Sequence, residues 1–221
     1  MEYVLSLSWP GSTCQMKNCT YYGRKNYFSI HGLWPEYGMD CNKIDILKMK
    51  ISEQNMEDIE QYWSSMYNSE TWFINHELSK HGSCWDPTRS DIDQTPQYIQ
   101  KVLDKHNLEM DSLEKINLFL ELTMSWSKHN NVYEILLNNG LSPSERDLTT
   151  PKIVAGILDN HFGTDGGVFP ICIGKNHNKY FSEIRFCLDK NYQVIECGTK
   201  VVSQHLNQCA SGMSYPLFPD F

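Results

Sequence analysis

The chain has 221 residues, of which 40% are hydrophobic and 21% charged, and its formal net charge is −8. This composition excludes intrinsic disorder, and the sequence contains no run of about 18 apolar residues that could span a membrane, so we expect no membrane insertion. The length, without an internal repeat, linker or charged tail, predicts one continuous domain over residues 1–221.

The apolar pattern predicts strands at the beginning of the chain. Residues 3–9 alternate between two faces and stop at Pro10-Gly11. Residues 27–31 repeat this period of two and stop at Gly32. His31 is thereby expected on the polar face of the second strand.

The middle of the chain changes to a period near 3.6, which is typical of helices. Apolar stripes and capping residues predict helices that begin near Met56, at Thr95-Pro96, after Asp111, near Val132 and at Thr150-Pro151. After Gly166-Gly167 the pattern returns to strands, over residues 168–173, 180–188 and 193–196. This order predicts an α+β fold in which the terminal strands share one sheet.

The cysteines indicate an oxidising compartment. Their number, eight, is even, and no two of them have the C-x-x-C spacing of a zinc site, so disulfides are favoured over a metal. Asn18-Cys19-Thr20 is a candidate glycosylation site, which fits secretion. Residues 1–6 have neither the charged nor the apolar region of a signal peptide, so we expect a mature form with an added or retained Met.

Residues 28–36 and 75–84 hold an unusual density of titratable side chains. The second segment is predicted to be a short helix that begins at Asn75 and ends at Gly82. Residues four positions apart share a helix face, and they form two pairs here. The pairs are His76 with Lys80 and Glu77 with His81.

A zinc site is not favoured in this helix. His76 and His81 are five residues apart, so at ~100° per residue their side chains diverge by ~140° and do not chelate one ion. Lys80, which is the residue that stacks on His76, is no zinc ligand. We therefore expect neither a metal nor another cofactor.

The remaining groups suit phosphoryl transfer to an internal hydroxyl. In-line attack needs a base, an acid and a cation, and imidazole can fill the first two roles because its ordinary pKa is near ~6.5. One helix cannot reach both faces of a phosphorus atom, so His31 is the best candidate for the second catalytic group. The residue types leave open which histidine is the base.

A purely structural interpretation gives these side chains ordinary roles. His31 would be a hydrogen-bonded core residue, the helix pairs would be solvated, and Trp34 would only pack. The other histidines have no such neighbours, and we expect them to be structural. They are His106, His129, His161, His177 and His205.

The two titratable segments resemble the signature blocks of the ribonuclease T2 family, H-G-L-W-P and H-E-[WF]-x-K-H-G-[ST]-C. Here residues 31–35 are HGLWP and residues 76–84 are HELSKHGSC. The resemblance implies a disulfide-stapled α+β fold with a central, mostly antiparallel sheet. It also implies an endoribonuclease that cleaves single-stranded RNA with low base specificity through a 2′,3′-cyclic phosphate.

The resemblance implies a role for each catalytic residue. His81 is the general base and His31 the general acid, while Lys80 and Glu77 stabilise the transition state and His76 binds the phosphate. Because Glu77 stacks on His81 in a regular helix, we expect it to orient that ring and to raise its pKa.

The resemblance also implies base-binding residues and disulfides. Trp34 resembles the family's stacking platform, with Glu36 and Tyr37 in the same pocket, and Ser8 stands where plant-type members often have a glutamine in a second base site. The implied disulfides are Cys14–Cys19, Cys41–Cys84, Cys172–Cys209 and Cys187–Cys197.

We therefore expect a monomer in the secretory pathway, destined for the exterior, lysosome or vacuole, that cleaves RNA with an acidic optimum. We expect no cleavage of DNA, because the nucleophile is the 2′-hydroxyl, which only RNA has. The alternative is a secreted ribonuclease-like binding or storage protein whose activity is incidental. The acidic pI of 5.4 disfavours a cytotoxic self-incompatibility ribonuclease, since such proteins are typically basic.

Overall fold

The computed structural model describes residues 1–21, 23–89, 94–106, 111–175 and 178–219. Its centre is a six-stranded sheet. The strands are β1 (Tyr3–Ser8), β2 (Ser29–Pro35), β3 (Leu148–Thr149), β4 (Val168–Lys175), β5 (Asn178–Leu188) and β6 (Met213–Ser214). The helices are α1 (Pro10–Met16), α2 (Glu53–Tyr62), α3 (Glu70–Lys80), α4 (Gln97–Leu103), α5 (Ser112–His129), α6 (Val132–Asn138), α7 (Pro151–Phe162) and α8 (Thr199–Gln208).

The sheet joins strands from both ends of the chain. Its order is β2-β1-β5-β6-β3, and β4 pairs with the other part of β5. The β5–β6 contact is parallel, and the other pairings are antiparallel. The predicted α+β class with a mostly antiparallel sheet is therefore confirmed.

The two faces of the sheet are covered differently. Tyr3, Leu5 and Leu7 of β1 point into the main hydrophobic core, where Trp126 of α5 packs on Phe186 of β5 with ring centroids 5.0 Å apart. The opposite face carries a smaller apolar cluster, which α8 helps to cover. This cluster contains Val4, Phe169, Cys187, Cys197 and Val202.

Most of the predicted helix ends are confirmed. Asp111 forms a capping box at α5, and α7 begins after Thr150 and ends at Gly163, whose φ of 70° is the left-handed conformation that glycine adopts readily. The helix expected to begin at Asn75 begins at Glu70 instead, because the Ser69 hydroxyl caps it by accepting from the Trp72 N–H.

Two other expectations need correction, and two helices were not predicted. Pro96 is the N-cap of α4, so that helix begins one residue later than expected. Residues 193–196 form only one isolated bridge, between Leu188 and Val194. The unpredicted helices are α1 and α8. Among the described residues, no helix has the length and apolar character needed to cross a membrane.

The prediction that Gly32 ends the second strand is wrong. Strand β2 continues to Pro35, but its register with β1 changes by one residue: Ser6 lies opposite Gly32, whereas Leu7 lies opposite Ile30. His31 is therefore the extra residue of a β-bulge. Bulges turn a side chain away from the direction that strict alternation would give it.

The bulge also corrects the expected polar face. Ser29 is fully buried, so no solvated strand face carries it together with His31. Beyond the bulge, Leu33 points into the main core and Trp34 lies against the smaller cluster.

All four predicted disulfides are present, and they use every cysteine of the chain. The bond between Cys41 and Cys84 joins the segment after β2 to the short 3₁₀ turn, Gly82–Cys84, that follows α3. It ties together the two segments that carry the predicted catalytic residues.

Candidate active site

Helix α3 is fixed against the core beside the sheet. Its Ile74 and Leu78 side chains are fully buried in the main core. Position 78, where the family motif usually has an aromatic residue, is thus filled by an aliphatic side chain. The helix ends at Lys80, and the N–H of the following residue, His81, donates to the Glu77 carbonyl at 2.9 Å.

His31 is held from several sides. Its Nδ1 atom lies 2.9 Å from Oε1 of Glu183, and its backbone carbonyl accepts from Nε1 of Trp63 at 3.0 Å. Its Nε2 atom lies 3.8 Å from Oε1 of Glu77. Burial lowers the pKa of His31, but the hydrogen bond and charge of Glu183, with the charge of Glu77, outweigh this effect and raise it above 6.5.

The sequence prediction missed Glu183. Its Oε2 atom accepts from Nε and Nη2 of Arg185 at 3.2 and 3.0 Å and lies 3.2 Å from the Ser6 hydroxyl. Although burial raises the pKa of Glu183, the contacts with His31 and Arg185 lower it to about 2. A signal was available: the charges at positions 183 and 185 alternate with buried Ile184 and so lie on one face of the strand.

The expected pairing of Glu77 with His81 is wrong, because Glu77 pairs with Trp34 instead. Nε1 of Trp34 donates to Oε2 of Glu77 at 2.9 Å. Burial raises the pKa of Glu77, while the nearby His31 and the Trp34 hydrogen bond oppose this increase. A Cβ atom at Gly32 would lie 2.3 Å from both Glu77 Oε2 and Trp34 Nε1, so glycine leaves the space for this contact.

The expected rise in the pKa of His81 is also wrong. Burial lowers it to about 4, with contributions from the charges of Lys80, His76 and His31. The Nδ1 atom of His81 is buried and has no hydrogen-bond partner among the described residues. The helical spacing failed as a guide because α3 ends at Lys80, and His81 leaves the helical conformation with φ −120°.

The structure brings both predicted catalytic histidines to Trp34. The ring centroid of Trp34 is 5.2 Å from that of His31 and 5.4 Å from that of His81. His76 stacks on Trp72, with centroids 5.2 Å apart and planes 7° from parallel. The charges of His76 and Lys80 act on His81, so the five predicted catalytic residues lie in one region.

Two cavities of about 250 Å³ border this region. The His31 cleft is lined by His31, Glu183, Ser8, Phe73, Tyr67 and Lys17, among others. The Trp34 cavity is lined by Trp34, Glu36, Arg185, Phe169, Val4 and His205, among others.

The predicted base-binding residues therefore separate. Ser8 lies in the His31 cleft, and Trp34 and Glu36 in the other cavity. The Arg185 guanidinium lies over the Trp34 ring, 4.9 Å from its centroid. Tyr37 packs edge-on against Tyr3, with centroids 6.2 Å apart, and its hydroxyl accepts from the Asp86 N–H.

The remaining histidines have other neighbours. His106 lies 3.0 Å from Glu121, His129 stacks on Tyr98, and His205 stacks on Phe169 at the edge of the Trp34 cavity. His161 contacts Phe162 edge-on. His177 lies outside the described residues, and Asn18 is exposed after α1.

Comparisons with known proteins agree with this architecture. Residues 2–197 match the model of the Ribonuclease T2 family. Ribonuclease T2 of Danio rerio is 24% identical over 199 residues, which cover 89% of this chain and 72% of the relative.

Two solved structures share the fold. Human RNase T2 superposes with a TM-score of 0.67 at 19% identity and covers 99% of both chains. RNase NT, solved in complex with 5′-AMP, superposes with a TM-score of 0.68 at 20% identity and covers 97% of both chains. With both signature blocks brought to one site and a family match over most of its length, the chain belongs to the Ribonuclease T2 family of RNA-cleaving enzymes.

Proposed function

We propose that this chain is a metal-independent endoribonuclease that cleaves single-stranded RNA by transphosphorylation, with a 2′,3′-cyclic phosphate as the first product. His81 takes the proton of the attacking 2′-hydroxyl, and His31 donates a proton to the departing 5′-oxygen. The observation that carries this proposal is that His31 and His81, from two distant segments, lie beside one tryptophan, with their ring centroids 5.2 and 5.4 Å from that of Trp34. Their surroundings displace the two pKa values in opposite directions, down to about 4 for His81 and above 6.5 for His31.

This asymmetry supports the assignment of base and acid. At a pH between the two values, His81 is neutral and can accept a proton, whereas His31 is protonated and can donate one. The sequence alone could not distinguish them. The local environments support the distinction: burial lowers the pKa of both rings, but at His31 the hydrogen bond and charge of Glu183, with the charge of Glu77, outweigh burial, whereas at His81 the nearby charges of Lys80, His76 and His31 add to it.

The other residues of α3 serve the charge of the phosphate. Lys80 offers a point charge to the transition state, and His76 is placed to hold a phosphate oxygen. Glu77, hydrogen-bonded to Trp34 and close to His31, fixes the platform between the two imidazoles and contributes to transition-state stabilisation.

Base binding in the Trp34 cavity explains low specificity. Stacking of a base on indole is worth ~1 to 3 kcal/mol and tolerates every base. The Glu36 carboxylate in the same cavity can accept from an exocyclic amine, and Ser8 offers a hydroxyl in the His31 cleft. Tyr37 borders the base site only if substrate binding moves it.

The wider setting follows from the same chemistry. Four disulfides support folding in the secretory pathway, with the exterior, lysosome or vacuole as destination and Asn18 as an exposed candidate for glycosylation. We propose a monomer that does not cleave DNA. The alternative, a binding or storage protein with incidental activity, lacks a specific supporting observation.

The test is digestion of polymeric single-stranded RNA in EDTA across the pH range. We expect 2′,3′-cyclic phosphate ends in the early products and a bell-shaped profile that rises through about pH 4 as His81 loses its proton and falls above the raised pKa of His31. H31A and H81A should each lower kcat/KM by ~100-fold or more.

H106A is the matched control, because His106 pairs with Glu121 outside the site, and it should keep full activity. Loss of activity in EDTA, an alkaline optimum or equal cleavage of DNA would contradict the mechanism. RNA binding that persists without turnover would favour the alternative.

A further inference from the structure

We infer that Glu183 is a positioning residue for His31: its carboxylate, clamped by Arg185 and Ser6, holds the Nδ1–H so that Nε2 carries the proton to the leaving oxygen. This inference rests on the proposed function, which makes His31 the general acid. It assigns a role to a partly buried strand residue that lies outside both signature blocks.

The geometry divides the two oxygens of Glu183 between different tasks. Oε2 accepts from Nε and Nη2 of Arg185 and lies within hydrogen-bond distance of the Ser6 hydroxyl. Oε1 lies 2.9 Å from Nδ1 of His31. The carboxylate therefore cannot rotate toward His31 or away from it without breaking its contacts with Arg185 and Ser6.

The main chain restricts the same ring. The bulge determines the direction in which the His31 side chain leaves β2, and Trp63 fixes its carbonyl. With Nδ1 directed at Glu183, the other ring nitrogen faces Glu77 on α3 at 3.8 Å. That side of the ring lies toward the region that contains Trp34 and His81.

The charges that face His31 come from two sides. Glu183 and Arg185 approach from β5, Glu77 from α3 and His81 from the residue that follows α3. Burial raises the pKa of Glu77, whereas that of Glu183 is lowered to about 2, so Glu183 remains ionised over the whole working range. The positive charge of Arg185 opposes protonation of His31, but Arg185 also donates hydrogen bonds to Glu183 through Nε and Nη2.

The functional consequence is a larger difference between the pKa values of His31 and His81. The acid must stay protonated at a pH where the base is already neutral. A fixed anion at Nδ1 keeps His31 protonated there and also selects the tautomer with Nδ1–H after proton donation. Removal of that anion should narrow the active range from its alkaline side.

The test joins NMR titration of the histidine ring nitrogens to the pH dependence of kcat/KM in the full chain. In the unmodified protein, we expect His31 to titrate above its ordinary range and to show the Nδ1–H tautomer when neutral. In E183Q, the acid dissociation constant of His31 should increase about tenfold or more, and the alkaline limb of the profile should move to lower pH by the same amount.

Loss of kcat/KM in E183Q should thus be about tenfold or more above pH 6 and smaller near pH 4.5, where His31 remains protonated in both proteins. E183D, which keeps the charge, should restore part of the alkaline limb. E121Q is the matched control because Glu121 pairs with His106 at 3.0 Å in the same manner, away from the site, and it should leave the profile unchanged.

A uniform loss of activity in E183Q at every pH, with an unmoved limb, would overturn the inference and leave Glu183 a structural residue. Observation of the Nε2–H tautomer of neutral His31 in the unmodified protein would also overturn the inference. This measurement does not depend on whether a variant folds. If the unmodified chain cleaves no RNA, the proposed function fails, while the titration of His31 still decides whether Glu183 controls its proton.

Discussion

At the scale of single residues, the most constrained position of the site carries no side chain. Gly32 follows His31, the proposed general acid, within β2, and the hydrogen bond between Trp34 and Glu77 passes through the space where its Cβ atom would be. The same residue type that suggested the end of a strand is required here for close approach of two side chains.

Replacing Gly32 should therefore disrupt the site. We expect G32A to separate Trp34 from Glu77, to lower the free energy of unfolding by ~1–3 kcal/mol and to reduce kcat/KM at least tenfold, as measured by denaturant unfolding and RNA cleavage.

The control is G156A at an exposed position of α7, where an added Cβ atom meets nothing within 4 Å. This variant should gain ~0.5–1 kcal/mol and keep its activity, because alanine favours a helix interior. A G32A protein with unchanged stability and activity would show that the Trp34–Glu77 contact does not need this space.

Local sequence patterns predicted the identity of the residues in the site better than their partners. His31, Glu77, Lys80 and His81 are recognisable by their motifs and lie in one region, although Glu77 pairs with Trp34 and not with His81. The partner of His31 is Glu183, more than 150 positions away, and only the pairing of β5 with β1 brings it close. Contacts between distant strands depend on register, which a one-residue bulge alters.

At the scale of elements, α3 has one face for chemistry and another for attachment. Three backbone N–H groups of the segment after β2 donate to polar side chains at intervals of four residues along and just beyond the helix. The pairs are Ile46 with Asn75, Ile44 with Ser79 and Asn42 with Ser83. The Cys41–Cys84 disulfide closes this series at the end nearest to His81.

Removing this disulfide should affect both stability and activity. We expect C41S/C84S to lose ~3–4 kcal/mol of unfolding free energy and to show lower kcat/KM at a temperature where it is still folded, because Lys80 and His81 lie beside the bond.

C172S/C209S provides the comparison, since its bond spans 37 residues against 43. It should lose similar stability but retain the activity of the folded protein. Equal losses of activity in the two variants would mean that the Cys41–Cys84 bond has no particular role in positioning the site.

Capping residues identified some helix ends but not all: the Ser69 cap of α3 was overlooked, and α4 was found although it has no side-chain cap. Helices α5 and α7 have side-chain caps and were found from the sequence, whereas α8 begins after Gly198 without a side-chain cap and was missed. The apolar residues of α8 are stabilised by packing on the small cluster of the sheet, and this tertiary contact is not visible in the local sequence.

At the scale of the whole molecule, an acidic protein acts on an anionic substrate. The net charge of −8 at neutral pH repels RNA at long range, while the site concentrates Lys80 and three histidines. Near the pI of 5.4 the repulsion disappears, and His31, whose pKa is raised, adds its positive charge to the local attraction. The pH range proposed for catalysis is thus also the range in which substrate approach is easiest.

Salt should therefore act differently at two pH values. Near pH 5, increasing salt from ~50 to ~300 mM only screens the local attraction, so kcat/KM for a long RNA should fall steeply. Near pH 7 it also screens the global repulsion, and the fall should be shallower. A dinucleotide with one phosphate should respond weakly at both, and identical slopes for long RNA would contradict this account.

The bulge places His31 outside the alternating pattern of side chains that builds the sheet. Omitting residue 31, the side chains from Phe28 to Trp34 would alternate without interruption between core and opposite face, since Ile30 and Gly32 would become neighbours. The alternation of core and opposite-face side chains in β2 therefore does not require His31. An ancestor or a designed homologue lacking it could assemble the same sheet, and an inert scaffold could acquire the proposed proton donor through a single inserted codon.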